Sequence, residues 1–402
     1  MAITNEQSER VATTVITGFL GSGKTTLLNA LLTQDGMDKT AVLINEFGDI
    51  GLDHLLVREV SEDVVLLNSG CICCSVRGDL ISGLRDLFVK RTRGEIPLFD
   101  RVIIETTGLA DPAPILHTLM TDPLLTTKFR LDSVVTTVDA VHGSGQLDQH
   151  PESVKQAAVA DRILMTKADL ASDAERDGLQ ARLRALNPAA PIYPVINGDI
   201  SADKLFNAGL YDPATKSMDV QKWLRDEAYD HHGDEAHEHE HEHEHEHSHD
   251  HAHHGHNHGH DHHHAHTHDH NHGNDVNRHD DHIQSFCITF DEPIHWDAFV
   301  TWAEIFTQMR GESLLRVKGI LNLVGEDAPV AIHAVQHIFH PPASLPAWPN
   351  DDHRSKIVFI TKDLGPQVIR ESLYHLNAAV AETVEDAKNA QNDTSDELNE
   401  HD

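Results

Sequence analysis

The sequence predicts an α/β fold: a doubly wound domain with a parallel sheet, then a low-complexity linker, then a second, smaller α+β domain. Short apolar runs alternate with helix-period segments from residue 11 to about residue 210, as in doubly wound sheets. A polar, histidine-rich stretch follows, and alternating and amphipathic patterns return near residue 283. The 402 residues are enough for two or three domains with hydrophobic cores. The predicted units are 1–225, the linker 226–282, 283–380 and an acidic tail at 381–402.

The first domain contains seven apolar runs that are typical of buried strands. Most of them precede a loop and a helix-period segment. In doubly wound sheets, ligands bind at the carboxyl ends of the strands, so polar residues that follow these runs are candidate site residues. The predicted strands are 11–17, 40–45, 64–68, 101–105, 133–138, 162–166 and 191–196.

The second domain begins with an alternating strand and an amphipathic helix and ends with another helix. Three histidines lie in or beside its third predicted strand, where packing or surface roles are expected rather than metal binding: His333, His337 and His340. The predicted elements are a strand at 285–290, a helix at 296–309, strands near 315–324, 330–339 and 356–360, and a helix at 366–378.

The charge of the chain excludes one class of partner. Lys and Arg number 31 against 65 Asp and Glu, which gives a formal net charge of −34. Such a chain repels the phosphate backbone of nucleic acids and attracts cations. The sequence starts without a basic segment followed by an apolar one, and no run approaches eighteen apolar residues. We therefore expect a cytoplasmic protein with no membrane partner.

Histidine is the compositional outlier. The chain has 35 histidines, and 24 of them lie between His231 and His282, mixed with Glu, Asp, Asn and Gly. This segment cannot bury a core, so a disordered tether is expected. Closely spaced imidazoles with interleaved carboxylates predict a reservoir of weak, exchangeable sites for Zn²⁺, Ni²⁺ or Co²⁺. The alternative is a hydrophilic spacer.

A phosphate-binding loop is the strongest local signal. The segment GFLGSGKT at residues 18–25 follows a predicted strand and precedes an apolar helix, which is the context of a P-loop. Its backbone N–H groups would wrap the phosphates, Lys24 would reach the β- and γ-oxygens, and the Thr25 hydroxyl would bind Mg²⁺. The alternative is a glycine-rich turn. The predicted nucleotide contacts here are Gly18, Gly21, Ser22, Gly23, Lys24, Thr25 and Thr26.

The identity of the base is predicted from Thr166, Lys167 and Asp169, which follow another strand in the pattern [NT]-K-x-D. A carboxylate there accepts from guanine N1–H and N2–H₂, and the lysine stem covers the base. Adenine lacks this pair of donors, so GTP is the expected nucleotide. Asn197, after the last strand of the domain, is a further candidate for the edge of the base.

Two candidate catalytic residues end a third strand. Glu105 would hold Mg²⁺ through a water molecule, and Gly108 would present its N–H to the γ-phosphate. A loop in this position could differ between the GTP and GDP states. The alternative is a capped strand-to-helix turn.

Three crowded cysteines predict a soft-metal site. Cys71, Cys73 and Cys74 are too close together for unstrained disulfides, but as thiolates they supply three corners of a tetrahedral Zn²⁺ site. The fourth position stays open for Glu, His, water or a client's ligand, which suits transfer. Glu46 follows the second strand and could complete this site or orient the attacking water; the sequence leaves both roles open. The alternative is buried, inert cysteines or a permanent structural zinc.

Together these motifs resemble the metallochaperone GTPases related to CobW and YjiA. The resemblance implies a P-loop GTPase domain, a CobW-type C-terminal domain and delivery of a metal ion to a client protein. The guanine element has Thr166 where Asn is commonest in GTPases, as this family permits. The motifs occur in family order between about 11 and 378: GFLGSGKT, NEFG at 45–48, GCICC at 70–74, ETTGLADP at 105–112, TKAD at 166–169 and RVKG at 316–319.

The predicted function is a GTP-hydrolysing zinc chaperone in which nucleotide state controls metal affinity and release. Delivery of cobalt for cobalamin synthesis, or of nickel or iron, is the alternative within the class; the thiolates and the Irving–Williams order favour zinc over cobalt and nickel. A non-enzymatic zinc buffer is the second alternative, and a small-molecule kinase, which would not need the cysteines or Asp169, is the third. The client protein is unidentified, and a nucleotide- or metal-dependent homodimer stays open.

Overall fold

A computed structural model describes residues 10–44, 65–68, 76–206 and 282–399. The first unit is a seven-stranded parallel sheet with helices on both faces. Its strands are β1 (Val11–Gly18), β2 (Thr40–Ile44), β3 (Val65–Asn68), β4 (Arg101–Glu105), β5 (Phe129–Asp139), β6 (Arg162–Thr166) and β7 (Ile192–Val195). Its helices are α1 (Lys24–Leu32), α2 (Val76–Arg93), α3 (Ala113–Thr121), α4 (Pro123–Lys128), α5 (Gly143–Gln149), α6 (Pro151–Ala158) and α7 (Asp173–Leu186).

The strand order β3-β2-β4-β1-β5-β6-β7 places β1 near the centre of this sheet. Every residue of β1 and β2 is buried, which explains why neither strand alternates apolar residues with charged ones; their polar residues are threonines. One face packs against α2 and α3, and the other packs against α1. The predicted doubly wound architecture is confirmed. Because all neighbouring strands are parallel, their carboxyl ends meet at one edge.

The second unit is an antiparallel sheet covered by two helices. The strand order is β11-β10-β9-β13-β8, with β12 paired to β10, and the helices α8 and α9 pack against each other. Phe299 and Trp302 of α8 and Leu373 of α9 lie in its core. The elements are β8 (Ile283–Phe290), α8 (Trp296–Arg310), β9 (Leu314–Leu321), β10 (Val330–Val335), β11 (Ile338–Phe339), β12 (Ala343–Ser344), β13 (Ser355–Lys362) and α9 (Pro366–Asn399).

Three predicted boundaries were wrong. The strand predicted at 330–339 is two strands joined by a tight turn, in which Gln336 adopts a φ of 52°. The fifth strand begins at Phe129 rather than 133, because Asp132 is buried among arginines and so breaks the apolar run without ending the strand. The last helix, predicted at 366–378 with a helical start to the acidic tail, continues as one helix to Asn399.

A buried ion cluster joins the two units. Asp161, just before β6, accepts hydrogen bonds at the same carboxylate oxygen from Arg316 (2.5 Å) and Lys318 (2.7 Å) of β9. Arg316 also donates to the Val159 carbonyl. Burial and the charge of Arg316 hold the pKa of His333, on the adjacent strand, well below its ordinary value, so that this imidazole stays neutral beside the cations. The second unit therefore contacts the chain at the amino end of β6, and Thr166 lies at the carboxyl end of the same strand.

Several predictions fall outside the described residues: Glu46, the three cysteines, and the histidine-rich segment except for His282. Within the described ranges, no helix has both the length and the apolar composition needed to span a bilayer.

Candidate functional site

The loop between β1 and α1 has the backbone geometry of a phosphate cradle. Gly18, Gly21 and Gly23 all have positive φ, of 139°, 70° and 90°. A Cβ on Gly18 would lie 2.3 Å from the Thr137 carbonyl oxygen, so a larger residue cannot occupy this position. The loop ends at the first turn of α1, where backbone N–H groups lack partners within the helix and attract anions. The cradle therefore fits nucleotide phosphates.

Lys24 and Thr25 open α1 with their side chains at the loop. The buried Lys24 ammonium donates to the carbonyls of Gly18 (2.9 Å) and Phe19 (3.1 Å), which places its charge inside the turn. The Thr25 hydroxyl donates to Oε1 of Glu105 at 2.9 Å. The two residues predicted to hold Mg²⁺ thus meet, although they lie on different elements. Hydroxyl and carboxylate oxygens suit Mg²⁺.

The segment after β4 packs directly onto the P-loop. A Cβ on Gly108 would lie 2.6 Å from the backbone nitrogen of Leu20 and 2.7 Å from its Cα, so only glycine allows this approach. The buried amide of Gln156 donates to the carbonyls of Gly108 (3.2 Å) and Ala110 (2.9 Å) and holds the segment in place. Sequence reasoning missed Gln156, because a lone glutamine on an amphipathic helix carries no motif.

The predicted guanine element is tied to the same loop. The Thr166 hydroxyl at the end of β6 donates to the Ser22 carbonyl at 2.7 Å, and the Ser22 hydroxyl lies 2.7 Å from that of Thr137. Lys167 adopts a φ of 54° and donates to Asp139 at 2.5 Å. These contacts fix the start of TKAD against the phosphate cradle.

Asp139 is a second residue that the sequence analysis did not single out. Its other oxygen accepts from the backbone N–H groups of Val141 (2.8 Å) and His142 (3.2 Å). Desolvation opposes ionisation, but the hydrogen bonds from Lys167 and these two amides lower the pKa of Asp139 below its ordinary value. The carboxylate therefore stays charged and positions the lysine stem. The signal available in the sequence was only that Asp139 ends a strand.

Asp169, Thr26 and Asn197 are exposed residues around this cradle. Asn197 has a φ of 51°, and a Cβ on the next residue, Gly198, would lie 2.8 Å from the Thr26 carbonyl. The turn after β7 therefore lies against the first turns of α1. Asp169 is the last residue of the TKAD motif, and it is exposed, whereas Thr166 at the start of the motif is buried.

The strand register relates the predicted metal motif to this edge. Asn68, which ends β3, lies beside Ile44, which ends β2, and Ile44 lies beside Glu105. Cys71 follows Asn68 by three residues, and Glu46 follows Ile44 by two. The strands that precede these two motifs in the sequence, β2 and β3, are therefore the first and second neighbours of β4 on one side of the sheet. In the part of the chain that the structure describes, no three His, Cys, Asp or Glu side chains form a metal-binding group.

Two protein-family models match the chain. Residues 12–194 match the model described as CobW/HypB/UreG, nucleotide-binding domain, and residues 283–376 match the Cobalamin synthesis protein cobW C-terminal domain.

Individual relatives agree with this division. The chain is 44% identical over 197 residues to the zinc chaperone YjiA of Escherichia coli, covering 49% of this chain and 61% of that protein. It is 34% identical over 195 residues to zinc-regulated GTPase metalloprotein activator 1 of Schizosaccharomyces pombe, covering 47% of this chain and 46% of that protein. The chain thus spans about half the length of these curated relatives.

A solved structure covers more of the chain. The crystal structure of Zn(II)-bound YjiA GTPase from E. coli matches with a TM-score of 0.61 and 26% identity, over 91% of this chain and 99% of that one. Both units of the fold therefore have a counterpart in one known protein.

Proposed function

The chain belongs to the family that joins a CobW/HypB/UreG nucleotide-binding domain to a CobW C-terminal domain, and we propose that it is a GTP-hydrolysing metallochaperone that delivers zinc to a client metalloprotein. The observation that carries the proposal is the convergence of three motifs on one cradle. Thr25 contacts Glu105, and Thr166 contacts the P-loop carbonyl of Ser22. A glycine-rich turn or a capped strand end has no need of this convergence.

In this proposal the nucleotide is GTP with Mg²⁺. Lys24 binds the β- and γ-phosphate oxygens, and its charge neutralises the charge that develops there. Thr25 and Glu105 hold Mg²⁺, which supplies further neutralisation when bound. Gly108 presents its N–H toward the γ-phosphate, and Asp169 accepts from the guanine edge while the Lys167 stem covers the base.

Zinc is the cargo. The thiolates of Cys71, Cys73 and Cys74 supply three soft ligands, and Glu46 or a ligand from the client supplies the fourth. Thiolates of this kind persist in a reducing compartment, which agrees with the cytoplasm. The relatives named as zinc chaperones support zinc rather than cobalt, nickel or iron. Because β2 ends beside Glu105 and β3 ends beside β2, movement of the nucleotide loops can alter the metal ligands that follow these two strands in the sequence.

Base recognition has a direct test in Asp169→Asn. The amide of asparagine donates where the carboxylate accepted, so GTP affinity should fall at least tenfold, while XTP, which carries a carbonyl at C2, should bind better than GTP. Asp177→Asn, on an exposed face of α7, is the matched control and should leave both affinities unchanged. Equal GTP affinity in Asp169→Asn and the wild type would contradict guanine recognition by this residue.

Coupling of metal to nucleotide is tested with GTP hydrolysis by the full chain at buffered free Zn²⁺, beside a variant with Cys71, Cys73 and Cys74 changed to Ser. We expect zinc to change GTP affinity or turnover in the wild type and not in the triple variant. If zinc binds the thiolates and nucleotide behaviour is identical, the coupled mechanism is wrong. A Lys24→Ala variant with normal metal tolerance in cells would favour a non-enzymatic buffer instead.

A further inference from the structure

Two histidines from different domains meet on the surface of the protein. His117, half-buried on α3, and the exposed His337, in the turn between β10 and β11, have their Nε2 atoms 3.1 Å apart. Their ring centroids are 4.8 Å apart, and the rings are tilted by 48°. Both nitrogens therefore point to one place between the domains.

The backbone of each histidine is held in position. Val335, at the end of β10, lies in the apolar cluster that contains Ile115 of α3, so the hairpin packs on this helix. Gln336 adopts a left-handed φ of 52°, which is strained for a residue other than glycine and forms the tight turn before His337. A Cβ on Gly311 would lie 2.6 Å from the Cβ of His337, so His337 packs closely on the backbone of Gly311.

The separation of the two nitrogens suits a shared cation. Zn²⁺ binds imidazole nitrogen at about 2.0–2.1 Å, so two ligand atoms 3.1 Å apart subtend an angle of about 100° at the metal, between octahedral and tetrahedral values. Imidazole is a common ligand of Zn²⁺, Ni²⁺ and Cu²⁺ and a poor one for Mg²⁺. The strongly negative chain also raises the local concentration of cations.

We propose that His117 and His337 form a second metal site, for Zn²⁺ or a similar divalent transition-metal ion, that links the nucleotide-binding domain to the C-terminal domain. The described residues contribute no third ligand to a group there, so water fills the other coordination positions and the metal exchanges readily. The site uses no residue of the cysteine motif and does not depend on the proposed function. The local sequence predicts only a packing or surface role for His337, because its partner His117 lies 220 residues away.

The test is urea unfolding of the full chain in EDTA and at a series of buffered Zn²⁺ concentrations, for the wild type, His117→Ala, His337→Ala and the double variant. A metal that binds only the folded state at ten times its dissociation constant raises the folding equilibrium constant about 11-fold. We expect either single substitution to abolish this stabilisation by zinc. The double variant should lose no more zinc stabilisation than either single variant, because two ligands of one ion act as a unit.

The comparison isolates this site. Zinc bound by the cysteines or the histidine-rich segment changes the free energy of unfolding equally in the wild type and the variants. A direct hydrogen bond between the two rings contributes in EDTA as well, so it cancels when the EDTA value of each protein is subtracted. His353→Ala, an exposed histidine stacked on Trp348, should keep the zinc increment, and Mg²⁺ should give no histidine-dependent increment. If zinc stabilises His117→Ala and His337→Ala as much as the wild type, the pair is only hydrogen-bonded and the proposal fails.

Discussion

Asp161 is the anion at the centre of the interface between the two domains, and its replacement by asparagine tests how much this interface depends on charge. Its side chain is 2% exposed, and those of Arg316 and Lys318 are 4% and 10% exposed. The backbone N–H of Val134 completes its set of donors at 2.9 Å. Burial opposes ionisation of Asp161, but the two cations lower its pKa far below the ordinary value, so the group is a carboxylate at neutral pH.

The loss of stability expected for Asp161→Asn follows from these distances and from the burial of the three side chains. At an effective dielectric constant of about 20, opposite charges 2.7 Å apart attract by about 6 kcal/mol, and the cost of desolvating each ion offsets much of this. Asp161→Asn removes this attraction, but the free-energy cost of burying the charged Arg316 and Lys318 side chains remains. We therefore expect the free energy of unfolding to fall by about 3–5 kcal/mol, as when one partner of a buried ion pair is removed.

The assay is urea unfolding at pH 7 followed by tryptophan fluorescence, which reports the C-terminal domain through Trp296, Trp302 and Trp348. Asp352→Asn is the matched control. Asp352 also pairs with an arginine and a lysine, but its side chain is 26% exposed, so the loss should stay below about 1 kcal/mol. A loss in Asp161→Asn as small as that of the control would show that the buried ion cluster contributes little and that apolar contacts hold the domains together.

Three further predictions concern the nucleotide cradle and the same interface. Gly108→Ala forces a methyl group against the backbone of Leu20, so GDP affinity measured by fluorescence titration should fall about 10- to 100-fold, while Gly145→Ala, in open space, should have no effect. Thr166→Val removes the hydrogen bond to the P-loop, worth about 1 kcal/mol, and GDP affinity should fall about fivefold; an unchanged affinity would mean that this bond does not shape the loop. Desolvation lowers the pKa of Lys318 to about 8, so the folded chain loses this proton before the unfolded chain does. Between pH 8 and 10 the wild type should therefore gain stability relative to Lys318→Met by about 1.4 kcal/mol per pH unit, and a constant difference in urea unfolding would contradict the shift.

The sequence predicted the fold well wherever one local pattern determined the element. The buried strands were visible as apolar runs, and the resemblance stated from the motifs is confirmed by the two family models. Predictions failed where a distant residue changed the local pattern. Asp132 is a strand residue because Arg101 and Arg130 neutralise it, and a single-sequence pattern does not reveal those partners.

The sequence alone contains the groups from which the chemistry was predicted: a glycine-rich loop in the P-loop pattern, a carboxylate predicted to recognise guanine, three crowded cysteines and a large excess of histidine. These signals are local, because each needs only neighbouring residues and a strand or helix on either side. Which of these groups contact one another follows only from the packing of the folded chain. Gln156 holds Gly108, Asp139 holds Lys167, and His117 meets His337 through contacts between residues 28 to 220 positions apart. Such pairings depend on how the sheet and the second domain pack, and packing is a property of the whole chain rather than of any segment.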